Sequence, residues 1–277
     1  MFASGTWIDR NPCGLGALRL LESAPKFAPL VRTEFALPSW VGEIRQDEYL
    51  EIRNLCVQML SRYRVEDCLF IGIGRSPTPI IGFFQEARAA HARNLPLSQF
   101  RHRPVGRAVE IDEKKIDRYQ ALSDGALKAL YQHFDRFFLF DAEAWRRKKW
   151  VLVDFSQTGD TLVSAFDYLS AYLRHRKTKA GCPGLEMLCL VDPRYDPQKI
   201  MGAFGRRPAR VWKIDGYPNL CGGLSMQRYD LASEFGTFVV DDSGRVPVRN
   251  DAYKRLRAAI RKEMVWEALQ GRSSEVA

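Results

Sequence analysis

The sequence predicts an α/β fold with a mostly parallel, twisted sheet that is covered by helices on both faces. From residue 47 onwards, short apolar runs alternate with segments of helical periodicity, which is typical of strand–helix units in a parallel sheet. Two of the apolar runs end in polar, glycine-containing loops that lead directly into a helical pattern. At 277 residues, 46% of them apolar, the chain is long enough to bury one substantial core.

The periodicity predicts six helices and six strands. We expect helices near residues 47–64, 79–93, 114–137, 161–176, 197–204 and 250–270, and strands near residues 67–73, 106–111, 150–155, 185–191, 210–215 and 236–241. Residues 47–245 would then form the core, and residues 246–277 would carry a C-terminal helix. Four prolines within residues 1–46 predict an irregular N-terminal extension.

A helical insertion is predicted within the core, at about residues 112–149. Apolar residues recur there at helical spacing, namely Leu122, Leu127, Leu130, Tyr131 and Phe134. Such a stripe is more typical of core packing than of a cofactor site. Two alternatives stay open, which are a helical lid over a site and an interface for a protein partner.

The most informative segment runs from Trp150 to Leu162, where an apolar strand ends in Asp154 and a short polar loop leads into a helix. The first N–H groups of a helix have no carbonyl partner, and together with the helix dipole they form a site for a phosphate. Asp154 is placed to hold a ribose hydroxyl or a Mg²⁺ ion. The residues predicted to bind the phosphate are Ser156, Gln157, Thr158, Gly159, Asp160 and Thr161.

A second loop of this kind follows the apolar run Leu69–Ile73. Gly72 and Gly74 would permit close approach of the backbone to a ligand. Arg75 can bind a diphosphate through its planar fork, and Ser76 adds a hydroxyl. Taken alone, this segment is better interpreted as an ordinary glycine turn with a surface arginine. Two phosphate-type loops in succession favour a ligand site.

These two loops resemble those of the type I phosphoribosyltransferases. The resemblance implies that the loop ending at Thr161 binds the 5′-phosphate of phosphoribosyl pyrophosphate, and that the loop at Gly72 to Ser76 binds its pyrophosphate. Asp154 would be the second of the family's two acidic residues. The strand expected at residues 185–191 would face the acceptor, with Asp192 and Arg194 on the acceptor side.

Three features depart from the family's pattern. Val153 stands at the position of the first acidic residue, and Gln157 stands where purine-salvage members have aspartate. Members that use other bases lack one or the other of these residues. The two loops are separated by about 80 residues, which is longer than is usual in the family.

The resemblance implies an enzyme that transfers ribosyl phosphate from phosphoribosyl pyrophosphate, or a related ribose phosphate, to a nitrogen acceptor. Pyrophosphate is released, and Mg²⁺ is the implied cofactor. The alternative is a non-catalytic protein of the same fold. It would be a ligand sensor or a protein-binding partner in a regulatory or conflict system such as bacterial defence. The valine at position 153 favours this non-catalytic alternative. The sequence does not decide the oligomeric state, and we leave open that the chain forms a homodimer.

The net charge of +9 and the pI near 9.3 raise a third function, nucleic-acid binding. The basic residues are scattered and no binding motif accompanies them, so this function is the least favoured. The apolar runs are shorter than a membrane span, which argues against a membrane partner. The six cysteines lack the paired spacing of a metal site, and those in strand-like runs are expected to be reduced thiols of a cytoplasmic protein.

Overall fold

The structure is a computed structural model, and it describes the chain in several stretches. These are residues 7–9, 46–97, 100, 102, 104, 121–138, 141–176, 182–214, 231–232, 238–239 and 255–264. The strand predicted at residues 106–111 and most of the N-terminal extension lie outside the described residues.

One six-stranded sheet forms the centre of the described fold. Its strands are β1 (Trp7–Asp9), β2 (Cys68–Ile73), β3 (His91–Leu95), β4 (Lys149–Phe155), β5 (Gly184–Val191) and β6 (Ala209–Lys213). They lie in the order β1-β6-β5-β4-β2-β3, and all neighbours are parallel except β1, which pairs antiparallel to β6. A separate antiparallel pair joins β7 (Leu231–Ala232) and β8 (Phe238–Val239).

Helices cover the sheet on both faces. They are α1 (Gln46–Leu60), α2 (Thr78–Glu86), α3 (Asp124–Phe138), α4 (Ala142–Arg146), α5 (Asp160–His175), α6 (Pro197–Phe204) and α7 (255–264). Helices α1, α2 and α7 share one apolar cluster with one face of the strands. Helices α3, α5 and α6 share a second cluster with the opposite face. The predicted α/β class, with helices on both faces of a mostly parallel sheet, is therefore confirmed.

The central strand β4 shows why the sequence folds in this way. Its side chains are buried on both faces, as expected for a strand inside a helix-covered parallel sheet. Val151 and Val153 contribute to the cluster of α1 and α2, whereas Trp150 and Leu152 contribute to the cluster of α3 and α5. The continuous apolar run that predicted this strand is thus explained by burial on two sides.

The apolar stripe of the predicted helical insertion lies in the core. Leu130 and Phe134 on α3 are fully buried, and the ring of Phe134 contacts that of Tyr172 on α5 edge to face, with the centroids 5.3 Å apart. The Tyr172 hydroxyl also donates a hydrogen bond of 2.8 Å to the Asp135 carboxylate on α3. The stripe therefore serves core packing in the apolar cluster that α3 shares with α5.

The helix predicted near residues 79–93 is wrong in its second half, because α2 ends at Glu86 and β3 follows. Arg88 adopts a positive φ of 51°, and the Ala89 N–H donates to the Phe84 carbonyl at 3.0 Å. This bond pattern closes a helix, but it usually involves glycine. An arginine in that conformation gives no sequence signal for the helix end.

The C-terminal helix α7 is anchored on α1 and α2. Leu256 and Ile260 are fully buried, and Glu263 lies 3.2 Å from the Nε atom of Arg53 on α1. Arg261 donates to Glu86 at the end of α2 at 2.9 Å. Residues 255–264 therefore complete the cover of one sheet face. In the described stretches, no helix combines the length and the apolar character that crossing a bilayer requires.

Candidate functional site

The two predicted phosphate loops leave neighbouring strands at the same edge of the sheet. Strands β2 and β4 are parallel partners, with Gly72 opposite Val153, so their carboxyl ends point the same way. The chain turns to α2 on one face after β2 and to α5 on the other face after β4. Such a reversal of strand order opens a crevice at the carboxyl edge, where open α/β sheets bind ligands.

The phosphate loop is organised around Ser156 and Gly159. The Ser156 N–H donates to the Leu190 carbonyl of β5 at 3.0 Å, and the Ser156 Oγ accepts from the Gly159 N–H at 2.8 Å. Gln157 and Thr158 at the loop tip are exposed, and within the described residues their backbone N–H groups have no hydrogen-bond partner. The loop therefore offers two backbone donors to a ligand, while it satisfies the Gly159 donor itself.

Gly159 is required by the fold as well as by the predicted site. Its φ is +76°, and a Cβ atom built there would lie 2.4 Å from the Cε1 atom of Phe204 on α6. A valine at this position would destabilise the fold, because a side chain there meets both a left-handed backbone and the Phe204 ring.

The first turn of α5 carries one acidic residue beside the predicted phosphate position. Asp160 is the first residue of the helix, and Thr158 Oγ1 lies 3.4 Å from its backbone nitrogen. An aspartate in a first helical turn complements the helix dipole, and it reduces the attraction of this helix end for a phosphate. Thr161 follows and is partly exposed, with its hydroxyl near the helix start.

Asp154 at the end of β4 is a buried carboxyl group that is 7% exposed. Desolvation raises its pKa well above the usual range, while the Phe155 N–H opposes the shift. It pairs in register with Cys189 on β5, whose pKa is also raised, first by burial and then by the Asp154 charge. Burial therefore disfavours the charged form of Asp154 in the folded protein.

The environment of Asp154 also bears on the predicted Mg²⁺ ion. Val153 is fully buried in the cluster of the opposite sheet face, so it adds no polar ligand. In the described parts of the chain, no group of three or more histidine, cysteine or acidic side chains is arranged to hold a metal ion. At the end of β4, Asp154 is the acidic side chain that could hold a Mg²⁺ ion, and this ion stays a prediction.

The loop after β2 is held to β3 by a backbone hydrogen bond. Gly74 has a φ of +76° and donates its N–H to the Leu95 carbonyl of β3 at 2.8 Å. A Cβ atom at Gly72 would lie 2.6 Å from the Ile81 Cγ1 atom, so packing against α2 explains this glycine. Arg75 is exposed and Ser76 is partly exposed at the tip. Of the four residues predicted to bind pyrophosphate, Arg75 and Ser76 are therefore the two that reach solvent.

The segment after β5 brings a third group to the same edge. Asp192 is buried, and the exposed Arg194 side chain binds its carboxylate. The Arg194 Nε atom lies 2.9 Å from Oδ1, and the Nη2 atom lies 2.7 Å from Oδ2. These charged hydrogen bonds lower the pKa of Asp192 to about 2. Because β5, β4 and β2 are consecutive in the sheet, the three predicted groups of site residues follow three adjacent strands.

Two residues near the site were not found by sequence reasoning. Phe204 supports Gly159 from α6, and Cys189 lies beside Asp154 on β5. Both contacts join residues that are distant in sequence, and an apolar side chain in a helix or strand carries no local sign of such a role. The strand register of a parallel sheet would have been needed to find Cys189.

The densest basic run of the sequence forms ion pairs with nearby carboxylates. Arg146 and Arg147 both contact Glu143, Lys148 contacts Asp67 at 3.0 Å, and Lys149 donates to Glu186 at 2.8 Å. Those four side chains lie at the amino end of β4, at the sheet edge opposite the phosphate loops. Arg64 also contacts Asp67 and Arg210 also contacts Glu186, so six basic side chains share three carboxylates and this edge keeps a net positive charge.

Comparison of the chain with protein-family models, with curated proteins and with solved structures gives no match.

Proposed function

We propose that this chain is a phosphoribosyltransferase-like protein. It binds phosphoribosyl pyrophosphate or a related ribose phosphate and transfers the ribosyl phosphate to a nitrogen acceptor, with release of pyrophosphate. One observation carries the proposal: two loops of phosphate-binding composition follow the adjacent strands β2 and β4, where the strand order reverses. The exposed backbone donors at Gln157 and Thr158 support a phosphate at the β4 loop.

Each loop has a distinct part in this proposal. The loop from Ser156 to Thr161 binds the 5′-phosphate, and Arg75 with Ser76 binds the diphosphate, which brings Mg²⁺ as part of the substrate. Asp154 faces the ribose from the end of β4. The chemistry requires little of the protein beyond holding the donor, excluding water and stabilising the positive charge that develops on the ribose.

Calorimetric titration tests the binding step. Wild-type protein is titrated with phosphoribosyl pyrophosphate and with ribose 5-phosphate, each with and without Mg²⁺. We expect Arg75→Ala to weaken the diphosphate ligand by about 1.5–3 kcal/mol, the value of a lost charge-assisted hydrogen bond, and to leave ribose 5-phosphate nearly unchanged.

Arg146→Ala is the matched control, because it removes an exposed arginine at the opposite edge of the sheet. An equal loss for both ligands in Arg75→Ala would contradict the assigned position of the diphosphate. Failure of wild-type protein to bind either ligand would refute the proposed function.

The non-catalytic sensor is a second candidate, and the state of Asp154 favours it. Burial disfavours the charged form of Asp154, so this side chain gives less stabilisation to a positively charged ribose than a solvated carboxylate pair does. The valine at position 153 leaves Asp154 without a second acid on the same strand end.

A pyrophosphate-release assay separates the two candidates. It is run on wild type and Asp154→Asn against a panel of nucleobases and amines. For an enzyme, Asp154→Asn should lower turnover much more than it weakens donor binding, because the carboxyl group acts mainly in the transition state. Ligand binding without pyrophosphate release for any acceptor would instead establish the sensor.

A further inference from the structure

The Asp192 carboxylate accepts three hydrogen bonds from Arg194. Asp192 is almost fully buried, whereas 79% of the Arg194 side chain is exposed. Besides the two side-chain hydrogen bonds, the Arg194 backbone N–H donates to Asp192 Oδ1 at 2.9 Å, and the Tyr195 N–H donates to the Asp192 carbonyl at 3.0 Å. The hydrogen bonds from these two backbone N–H groups already close the turn. The two guanidinium hydrogen bonds therefore mainly orient the Arg194 side chain.

The two hydrogen bonds to Asp192 leave the Nη1 side of the guanidinium available. Nε and Nη2 bind Asp192, and within the described residues the Nη1 atom has no hydrogen-bond partner. Arginine presents a planar fork that matches a carboxylate or a phosphate. An arginine that is already held in one orientation loses less side-chain freedom when it binds such a group.

The strand order places this arginine beside the phosphate loop and away from Arg75. The Ser156 N–H bonds to Leu190, two residues before Asp192, so the segments after β4 and β5 are neighbours. Strands β5 and β2 lie on opposite sides of β4. They are therefore separated by two strand spacings, or about 10 Å. If the diphosphate of phosphoribosyl pyrophosphate lies at Arg75, the Arg194 side of this edge is left for a second molecule, which is the acceptor.

We propose that Arg194, oriented by Asp192, binds a carboxylate on the acceptor, so that the acceptors are nitrogen compounds that carry an acidic group. This inference rests on the proposed function and names its acceptor class. Arg194 contacts the substrate directly, and Asp192 is a positioning residue that acts through it. The other source of an anionic group at this place is the diphosphate of the donor.

The test uses matched pairs of nitrogen heteroaromatic carboxylic acids and their carboxamides, which differ little except in charge. Binding is measured by calorimetry with ribose 5-phosphate present, and pyrophosphate release is measured with phosphoribosyl pyrophosphate. Wild type should favour at least one acid over its carboxamide by about 10- to 100-fold, the range of a charge-assisted hydrogen bond. Arg194→Gln should bring that ratio close to one and leave ribose 5-phosphate affinity unchanged.

Two further variants separate charge from orientation. Arg194→Lys keeps the charge without the planar fork and should retain part of the preference. Asp192→Asn keeps the arginine but weakens its clamp, so it should lower the acid-to-amide ratio with little effect on ribose 5-phosphate binding. Arg146→Gln, which removes an exposed arginine with a carboxylate partner three residues away, should leave the ratio unchanged.

Several results would overturn the proposal. Equal affinity of wild type for acids and carboxamides would do so, as would a preference that persists in Arg194→Gln protein with native circular dichroism. Loss of phosphoribosyl pyrophosphate affinity in Arg194→Gln, with ribose 5-phosphate unaffected, would assign the arginine to the donor instead. Binding of ribose 5-phosphate without any acid preference refutes this inference alone, whereas no ribose-phosphate binding refutes the proposed function.

Discussion

Replacement of Gly159 by alanine should destabilise the protein by about 2–5 kcal/mol. The left-handed backbone, with a φ of +76°, costs a residue with a Cβ atom about 1–2 kcal/mol. The new Cβ atom would lie 2.4 Å from the Phe204 ring, and relief of such overpacking costs about 1–3 kcal/mol more. The free energy of unfolding is measured by urea denaturation followed by circular dichroism.

A double-mutant cycle with Phe204→Leu isolates the contact from the backbone strain. The smaller side chain gives the new methyl group room, so Gly159→Ala should cost at least about 1 kcal/mol less in that background. Gly202→Ala is the matched control on α6, because a Cβ atom there meets nothing within 4 Å. It should stabilise the helix by about 0.5–1 kcal/mol.

Two outcomes would refute this reasoning. A loss below about 1 kcal/mol for Gly159→Ala would contradict the left-handed conformation. Additive effects in the cycle would contradict the contact with Phe204. If the expected loss is found, glycine substitutions cannot isolate ligand binding at this loop, and Thr158→Ala becomes the better probe because Thr158 is exposed.

Three further predictions concern buried ionisable groups. Burial lowers the pKa of His133 from 6.5 to about 4, so the folded state favours the neutral ring. Protonation of His133 should therefore cost about 3 kcal/mol of stability between pH 6.5 and pH 4, and urea titrations should show a fall that is smaller by this amount in His133→Gln. Arg207→Met should cost about 3–5 kcal/mol by removing the guanidinium that binds buried Asp167, and adding Asp167→Leu should recover much of the loss. Since burial raises the pKa of Asp154, ionisation costs folding stability above the ordinary carboxyl range, so Asp154→Asn should stabilise the protein at pH 7 and lose that advantage in acid.

The best-predicted elements are those with strong local signals. The strand expected at residues 150–155 is Lys149–Phe155, and the helix expected at residues 161–176 is Asp160–His175. A strand buried on both faces produces an uninterrupted apolar run, and a glycine before a helix marks its start. Both signals lie within the segment itself, so no knowledge of distant contacts is needed to interpret them.

The elements that sequence reasoning missed depend on contacts across the fold. Strand β3 has the sequence His-Ala-Arg-Asn-Leu, which shows little β-propensity, and its pairing with β2 stabilises it. Strand β1 is three residues long and exists through its pairing with β6. Short edge strands of this kind carry no periodic signal, because their register is decided by a partner elsewhere in the chain.

The candidate site shows the same division between local and distant causes. Parallel strands alone predict that the loops after β2, β4 and β5 meet at one edge. The burial of Asp154 is not predictable in this way, because its neighbour Cys189 comes from another strand. Burial raises the pKa of Asp154 and so disfavours the charged form that a metal ligand requires.

The glycines of the two loops illustrate how little a glycine signature proves about a ligand. Gly72 packs against Ile81 and Gly159 packs against Phe204, so the fold would require both residues even without a phosphate. What distinguishes a binding loop from an ordinary turn is the use of its backbone donors. The Gly74 N–H is bound to a carbonyl of the chain itself, whereas those of Gln157 and Thr158 have no partner within the described residues. The case for a phosphate is therefore stronger at the β4 loop than at the β2 loop, where it depends on the side chain of Arg75.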